Sequence, residues 1–296
     1  MEENKENKNW YDKSHKIILG VSLFIFVLSL IYLSIFLKNN GDIINKDVSL
    51  TGGTTITVFD EEASTLEIKE FLSSKFGEVN VRKLSDFLTG SQKGFYVESQ
   101  TEPEELKKAM EEFLGYELNE NNSSIEFSGS ALSQGFYNQL RTAIIIAFIF
   151  MAIVIFLIFR TFVPSMAVIL SAFADIVMTL SVVNLLGMQL SLAGVIAFLM
   201  LIGYSVDTDI LLTSRVIRDK KGTVNSRIYD SMKTGLTMTI TSMAAIAVSL
   251  IIISGVSDVL RQIFTILLIG LCFDIFNTWF TNAAIIKIYA ERREKR

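Results

Sequence analysis

LAGVIAFLMLIGYSVDTDILLT, residues 192–213, is the stretch on which the fold turns. It is long and apolar enough to cross a bilayer, which takes about 20 residues. It nevertheless carries two carboxylates, Asp207 and Asp209. Five further runs share its character: Ile17–Leu37, Thr142–Phe159, Met166–Leu186, Thr234–Ser254 and Ile263–Ile286. Half of the 296 residues are hydrophobic, and the mean hydropathy is +0.44. These features predict a membrane all-α bundle of six helices. The first run exceeds a signal-peptide core and lacks a clear small-residue cleavage site after it, so it reads as an uncleaved anchor.

Charge sets the expected topology. Lys5, Lys8, Lys13 and Lys16 precede the first run. Arg215, Arg218, Lys220, Lys221, Arg227 and Lys233 lie between the fourth and fifth. Lys287, Arg292, Arg293, Lys295 and Arg296 close the chain, and Arg160 falls on the same side. Basic short segments stay in the cytoplasm, and six spans put these segments on one side. The tail Arg292–Arg296 reads as a topology signal with attraction to anionic lipid, not as a nucleic-acid site. Between Gly41 and Ser130 the balance reverses, with 18 Asp and Glu against 8 Lys and Arg. That region is expected outside the plasma membrane, as are the turns Gly187–Ser191 and Gly255–Gln262. The divisions are 1–16 cytoplasmic, 17–37 first span, 38–139 outer domain, 140–287 five spans and 288–296 basic tail. Trp10, Tyr11 and Tyr289 read as interface anchors, whereas Trp279 lies deeper with no role assigned.

The outer region alternates element types. Thr54–Phe59, Val79–Leu84, Phe95–Gln100 and Ser124–Phe127 read as strands. Ser64–Phe76 and Glu102–Leu114 read as helices, with capping boxes expected at Ser64/Glu67 and Thr101/Glu104 and Pro103 in a first turn. The order βαββαβ predicts an α+β ferredoxin-like domain. It holds no His, no Cys and no convergent acid–base set, so a binding or force-bearing module fits better than an enzyme. No cofactor or metal-ligand pattern occurs in the chain. The single cysteine, Cys272, excludes an internal disulfide and reads as a buried small apolar residue.

The polar residues inside the runs carry the functional reading. A charged residue at mid-bilayer costs about 2.5–3.5 kcal/mol on insertion scales. Asp175, Asp207, Asp209 and Asp274 are all retained, with Asn277 beside the last and Lys233 at the entry of the fifth run. Asp207 and Asp209, two positions apart, project about 200° apart on a helix. Gly203 lies one turn from Asp207, where a small residue lets a neighbouring helix approach. Lys233, Thr237 and Thr241 form a four-residue stripe, and Asp207 is expected to face it. Such a group suits a proton or ion relay, because a carboxylate in low dielectric can take and release a proton. The bland alternative is a set of interhelical bonds that fix packing, with the threonines bonded to their own helix.

Three segments together resemble the SecD/SecF protein-export family. Leu50-Thr51-Gly52-Gly53-Thr54 is similar to its Asp-Phe-Thr-Gly-Gly-Thr segment after the first span, with Ser49 where an Asp is usual. Here Gly52 and Gly53 read as a tight turn into the first strand. Gly203-Tyr204-Ser205-Val206-Asp207-Thr208-Asp209, followed by Arg215, is similar to the Gly-Tyr-Ser-x-Asn-Asp-Thr…Arg signature of SecF. A gapless match sets Thr208 at the acid and Asp207 at the Asn. The order Val-Asp-Thr-Asp is closer to the Val-Asp-Ala-Asn of SecD and resembles the archaeal branch of SecF. The proton-linked acid is therefore carried to Asp207, with Asp209 as the rival. Lys233-Thr234 is similar to an Arg-Thr pair, the Lys keeping charge but not the planar fork.

The resemblance covers the whole chain and implies a membrane part like that of the RND transporter superfamily. It implies a SecD partner, association with the SecYEG translocon, secretory polypeptides as cargo, and use of a proton or sodium gradient. The alternatives are an RND-type small-molecule transporter half and a non-conducting structural partner of SecD. An intramembrane aspartyl protease is disfavoured, because Tyr204-Ser205-Val206 precedes Asp207 where that chemistry uses Gly-x-Gly.

Overall fold

The structure is a computed structural model, and it describes residues 10–77, 79–85, 91–219, 222–253 and 257–294. The charges expected to mark topology at Lys5, Lys8, Lys220, Lys221, Lys295 and Arg296 lie outside the described residues, as does part of the turn Gly255–Gln262.

Among the described residues, six helices are long and apolar enough to cross a membrane. They comprise α1 (Trp10–Asn40), α5 (Ser130–Phe159), α6 (Phe162–Leu185), α7 (Leu192–Arg218), α8 (Val224–Ile253) and the last span. That last span is composite: α9 (Asp258–Phe276), a π-helical turn (Asn277–Asn282) and α10 (Ala283–Glu294). Burial separates centre from periphery. The apolar windows of α6 and α7 are 67% and 56% buried, against 11%, 6% and 11% for α1, α5 and α8. Residues such as Phe24, Phe150, Leu157 and Ile252 stand exposed on the outer helices, and Cys272 of α9, expected to be buried, is exposed as well. An apolar exterior of this kind is the surface a lipid solvent favours.

The second long helix starts at Ser130, twelve residues before the apolar run beginning at Thr142. Its first turns carry Gln134, Asn138, Gln139 and Arg141, which hydropathy places outside, yet the helix continues through them unbroken. Arg160, in a left-handed conformation (φ 51°), ends α5 two residues before α6 begins.

Between α1 and α5 lie α2 (Val48–Thr51), β1 (Gly53–Val58), α3 (Thr65–Phe76), β2 (Val79–Ser85), β3 (Gln92–Ser99), α4 (Pro103–Leu114) and β4 (Ser123–Ser128). The sheet order is β2-β3-β1-β4, antiparallel throughout. Alternation sends Ile56 and Val58 of β1 and Phe95 and Val97 of β3 to one face. Ile68 and Leu72 of α3 and Leu106 and Met110 of α4, each pair at four-residue spacing, close over that face. The expected capping boxes do not form. Ser64 caps α3 without a side-chain bond, and the N-cap of α4 is Glu102. Thr101 is engaged instead by Ser99 and by the Thr54 hydroxyl, which donates to its carbonyl at 2.6 Å.

Gly52 (φ 88°) and Gly53 (φ 139°) make the turn into β1. A Cβ on Gly52 would lie 2.3 Å from the Ser130 Cα, and one on Gly53 would lie 2.4 Å from the Ser99 carbonyl oxygen. Neither obstacle is a flexible side chain, so only glycine fits. The stem before the turn is pinned to the α6–α7 connection. The Leu190 amide donates to the Asn45 carbonyl (2.6 Å), and the Asp47 amide donates to that of Leu190 (3.1 Å). The Leu192 amide, at the start of α7, donates to Ser49 Oγ at 3.0 Å.

Candidate functional site in the membrane helices

The bundle's apolar packing divides along its depth. On the side bearing the sheet, Phe26, Val177, Met178, Val183, Phe198, Leu201 and Ile266 pack together. On the opposite side, Ala167, Leu212, Val216, Ile228, Trp279 and Ile286 do the same. Asp175, Asp209 and Asp274 lie between these two seals, each with no exposed surface.

Hydrogen bonds knit this layer together. Asp175 Oδ2 accepts the Ser205 hydroxyl in a short bond, and its Oδ1 accepts Asn277 Nδ2 at 2.7 Å. Asp209 Oδ1 accepts Thr278 Oγ1 (2.9 Å) and Asn282 Nδ2 (2.8 Å). Thr278 Oγ1 also lies 3.3 Å from Asp274 Oδ1. A hydroxyl has one hydrogen to give, so Thr278 cannot serve both acids at once. The second oxygens, Asp209 Oδ2 and Asp274 Oδ2, are buried and accept no bond of good geometry, although the Ser171 and Ser205 hydroxyls lie close enough to interact with these two acids. No ion pair reaches any of the three carboxylates among the described residues. Three negative charges without a countercharge in this interior are far too costly to hold.

The π turn positions four of the partners. Asn277, Thr278, Thr281 and Asn282 are all buried. In a regular α-helix, residues five apart sit about 140° from each other. The wider π turn brings Asn277 and Asn282 toward one interior, where they reach Asp175 and Asp209. Ser22 of α1 joins through Asn277 Oδ1 (3.5 Å) and Thr281. Ser22, Ser205, Thr278, Thr281 and Asn282 were not among the residues the sequence singled out. The signal available was NTWFTN itself, four polar residues at positions 1, 2, 5 and 6 of an apolar span.

The expectation that Asp207 faces Lys233, Thr237 and Thr241 is not met. All four are exposed, and no hydrogen bond or ion pair joins Asp207 to the other three. Thr237 and Thr241 donate to the carbonyls of Lys233 and Thr237, each at 2.7 Å. The inward stripe of α8 is instead Ser231, Gly235 and Thr239. Thr239 Oγ1 lies 3.5 Å from Thr208 Oγ1, so Thr208, and not Asp207, meets α8. Arg215 reaches the same helix, donating to Thr234 Oγ1 at 3.0 Å. Gly203 is also displaced from its expected role: a Cβ there meets nothing within 4 Å, and Tyr204 beside it is exposed. The span glycines that admit close neighbours are Gly235, whose Cβ would lie 2.6 Å from the Trp279 ring, Gly270, 2.5 Å from Leu201, and Gly194, 2.7 Å from Gln262 and Leu190.

Three comparisons bear on this architecture. The family model described as "Protein export membrane protein SecD/SecF, C-terminal" matches residues 108–292. The protein-export membrane protein SecF of Methanocaldococcus jannaschii is 38% identical over 293 residues, covering 96% of this chain and 99% of that protein. The protein of the same name from Pyrococcus furiosus is 37% identical, covering 94% and 90%. The crystal structure of SecDF from Thermus thermophilus, a translocon-associated membrane protein, superposes with a TM-score of 0.77 at 19% identity. It matches 95% of this chain, which spans 38% of that longer one.

Proposed function

This chain belongs to the SecD/SecF protein-export family, on its SecF branch, and from that premise we propose that it couples an ion gradient to polypeptide export through its buried acid layer. Asp209, Asp175 and Asp274 carry the proton or sodium ion. Ser205, Asn277, Thr278 and Asn282 hold their geometry. Asp207, exposed on α7, turns toward the surface where a SecD-type partner docks. The four-stranded domain is ferredoxin-like and faces the outside, both termini are cytoplasmic, and the SecYEG channel supplies the emerging chain. No substrate chemistry is required: moving one charge through 100 mV yields about 2.3 kcal/mol, which biases a conformational cycle.

The observation that carries this reading is a set of three buried carboxylates with no ion-pair partner among the described residues, sealed between two apolar layers. The test is export into membrane vesicles containing the assembled complex, with and without an imposed ion gradient. Asp209→Asn, Asp175→Asn and Asp274→Asn should each abolish the gradient's stimulation while the complex still assembles. Asp207→Asn should retain most of it. If Asp209→Asn keeps the full stimulation, the buried layer is a packing device and the reading fails.

A further inference from the structure

A cleft of about 380 Å³ lies where the outer domain meets α5. Asp42, Lys46, Leu50, Thr51 and Gln100 line it from the stem and sheet, and Gln134, Tyr137, Asn138 and Arg141 line it from α5. The volume falls in the range of small-ligand sites, roughly 300–1,000 Å³. Its depth follows from the chain. Asp42 comes two residues after α1 ends at Asn40, and Arg141 immediately precedes the apolar run from Thr142 to Phe159. The cleft is therefore level with the headgroup layer on the domain side.

Its charges are arranged for an anion. Asp42 is already satisfied: Oδ2 pairs with Lys46 Nζ at 2.8 Å, and Oδ1 accepts the Tyr137 hydroxyl at 2.8 Å and the Ile43 amide at 2.7 Å. Lys46 is thereby fixed over the Tyr137 ring, 4.6 Å from its centre, with donors to spare. Arg141 makes no ion pair among the described residues. With Asp42 ionised and paired to Lys46, the lining carries one net positive charge, with three carboxamides as further donors, inside a region that is acidic overall. A lone interface arginine touches passing headgroups anywhere. Here Lys46, held over the Tyr137 ring, lines the same cleft as Arg141.

We propose that this cleft binds a phosphate-ester group, with Arg141 and Lys46 as its cationic ligands and the Gln100, Gln134 and Asn138 amides completing the cradle. A guanidinium and an ammonium on one phosphate make charge-assisted bonds stronger than neutral ones. The group comes either from an anionic lipid of the adjoining leaflet or from free phosphate, and the arms of the experiment separate them.

The full chain, purified in neutral detergent, is titrated with short-chain phosphatidylglycerol and, separately, with inorganic phosphate, and bound ligand is counted by native mass spectrometry. One equivalent should bind saturably. Arg141→Gln or Lys46→Gln should weaken it about tenfold, the loss of one charge-assisted contact. Lys38→Gln, an exposed cation near the end of α1 that does not line the cleft, should leave it unchanged. Binding of the lipid alone assigns the group to the bilayer, and equal binding of phosphate assigns it to solvent. Absence of saturable binding for both probes overturns the proposal. So does an equal effect of Lys38→Gln, or displacement by an acidic peptide at lower concentration than either probe.

Discussion

The outer domain and the membrane bundle are built inside out with respect to each other. The domain packs Ile56, Phe95, Leu72 and Met110 inward and leaves its acids in water. The bundle turns Phe24, Phe150 and Leu157 outward and packs Asp175, Asp209 and Asp274 inward. Solvent accounts for the outer half of that inversion, since lipid welcomes apolar side chains. It does not account for the inner half, because an apolar interior would serve a bundle equally well. Replacing a buried charged set by hydrocarbon of similar size is often neutral or stabilising.

Four measurements would break or sharpen that contrast. The largest effect belongs to the domain core: Phe95→Ala should cost about 3–5 kcal/mol, read as lost hydrogen-exchange protection across β1–β4 in the full chain. Its mirror is Asp175→Leu, which should cost the bundle about 1–3 kcal/mol, because the buried Ser205 hydroxyl and Asn277 amide lose their acceptor, while gradient-driven export disappears. A loss of stability as large as that of Phe95→Ala would make the acids structural and erase the contrast.

Third is Gly235→Ala, which drives a Cβ to 2.6 Å from the Trp279 ring and 3.0 Å from Thr208 Cγ2. Overpacking here should cost about 1–3 kcal/mol, measured by thermal unfolding in detergent. Gly203→Ala, facing open space, should cost much less.

The smallest effect lies at the domain surface. The Tyr116 hydroxyl donates to Asp60 Oδ2 at 2.7 Å. That bond, aided by the Glu62 and Ala63 amides and opposed by slight burial, holds the Asp60 carboxyl below its ordinary 3.8. A depressed carboxyl stabilises above its unfolded value, and the contribution is lost as pH falls through the folded one. Tyr116→Phe should thus cost under about 1 kcal/mol at neutral pH, with the difference from wild type closing below about pH 4. Unfolding of the domain, followed by hydrogen exchange across the pH series, reads both.

The spans were legible because an apolar run of some twenty residues has few other uses, and the polar residues within them were visible one by one. Their rotation was not. Asp207 and Asp209 differ by two positions, and which of them faces inward depends on where α6, α8 and α9 pack. In the structure Thr208 meets Thr239 of α8, with Asp209 buried and Asp207 exposed on either side of it. The stripe at Lys233, Thr237 and Thr241 had the right period on the wrong side of its helix, since small Ser231 and Gly235 allow the closer approach. The π turn escaped for a different reason. A 3.6-residue template separates Asn277 from Asn282, so their joint service to the acids could not be read from spacing.

Helix α5 carries a mechanical consequence. It leaves the sheet one residue after Ser128 and runs thirty residues without a break to Arg160. At 1.5 Å per residue it is a strut of about 45 Å, and a tilt of about 5° at its sheet end swings the far tip through roughly 4 Å. Only Arg160 and Thr161 separate that tip from α6, which bears Asp175. The strut thus joins the sheet domain to the far end of the helix that bears Asp175.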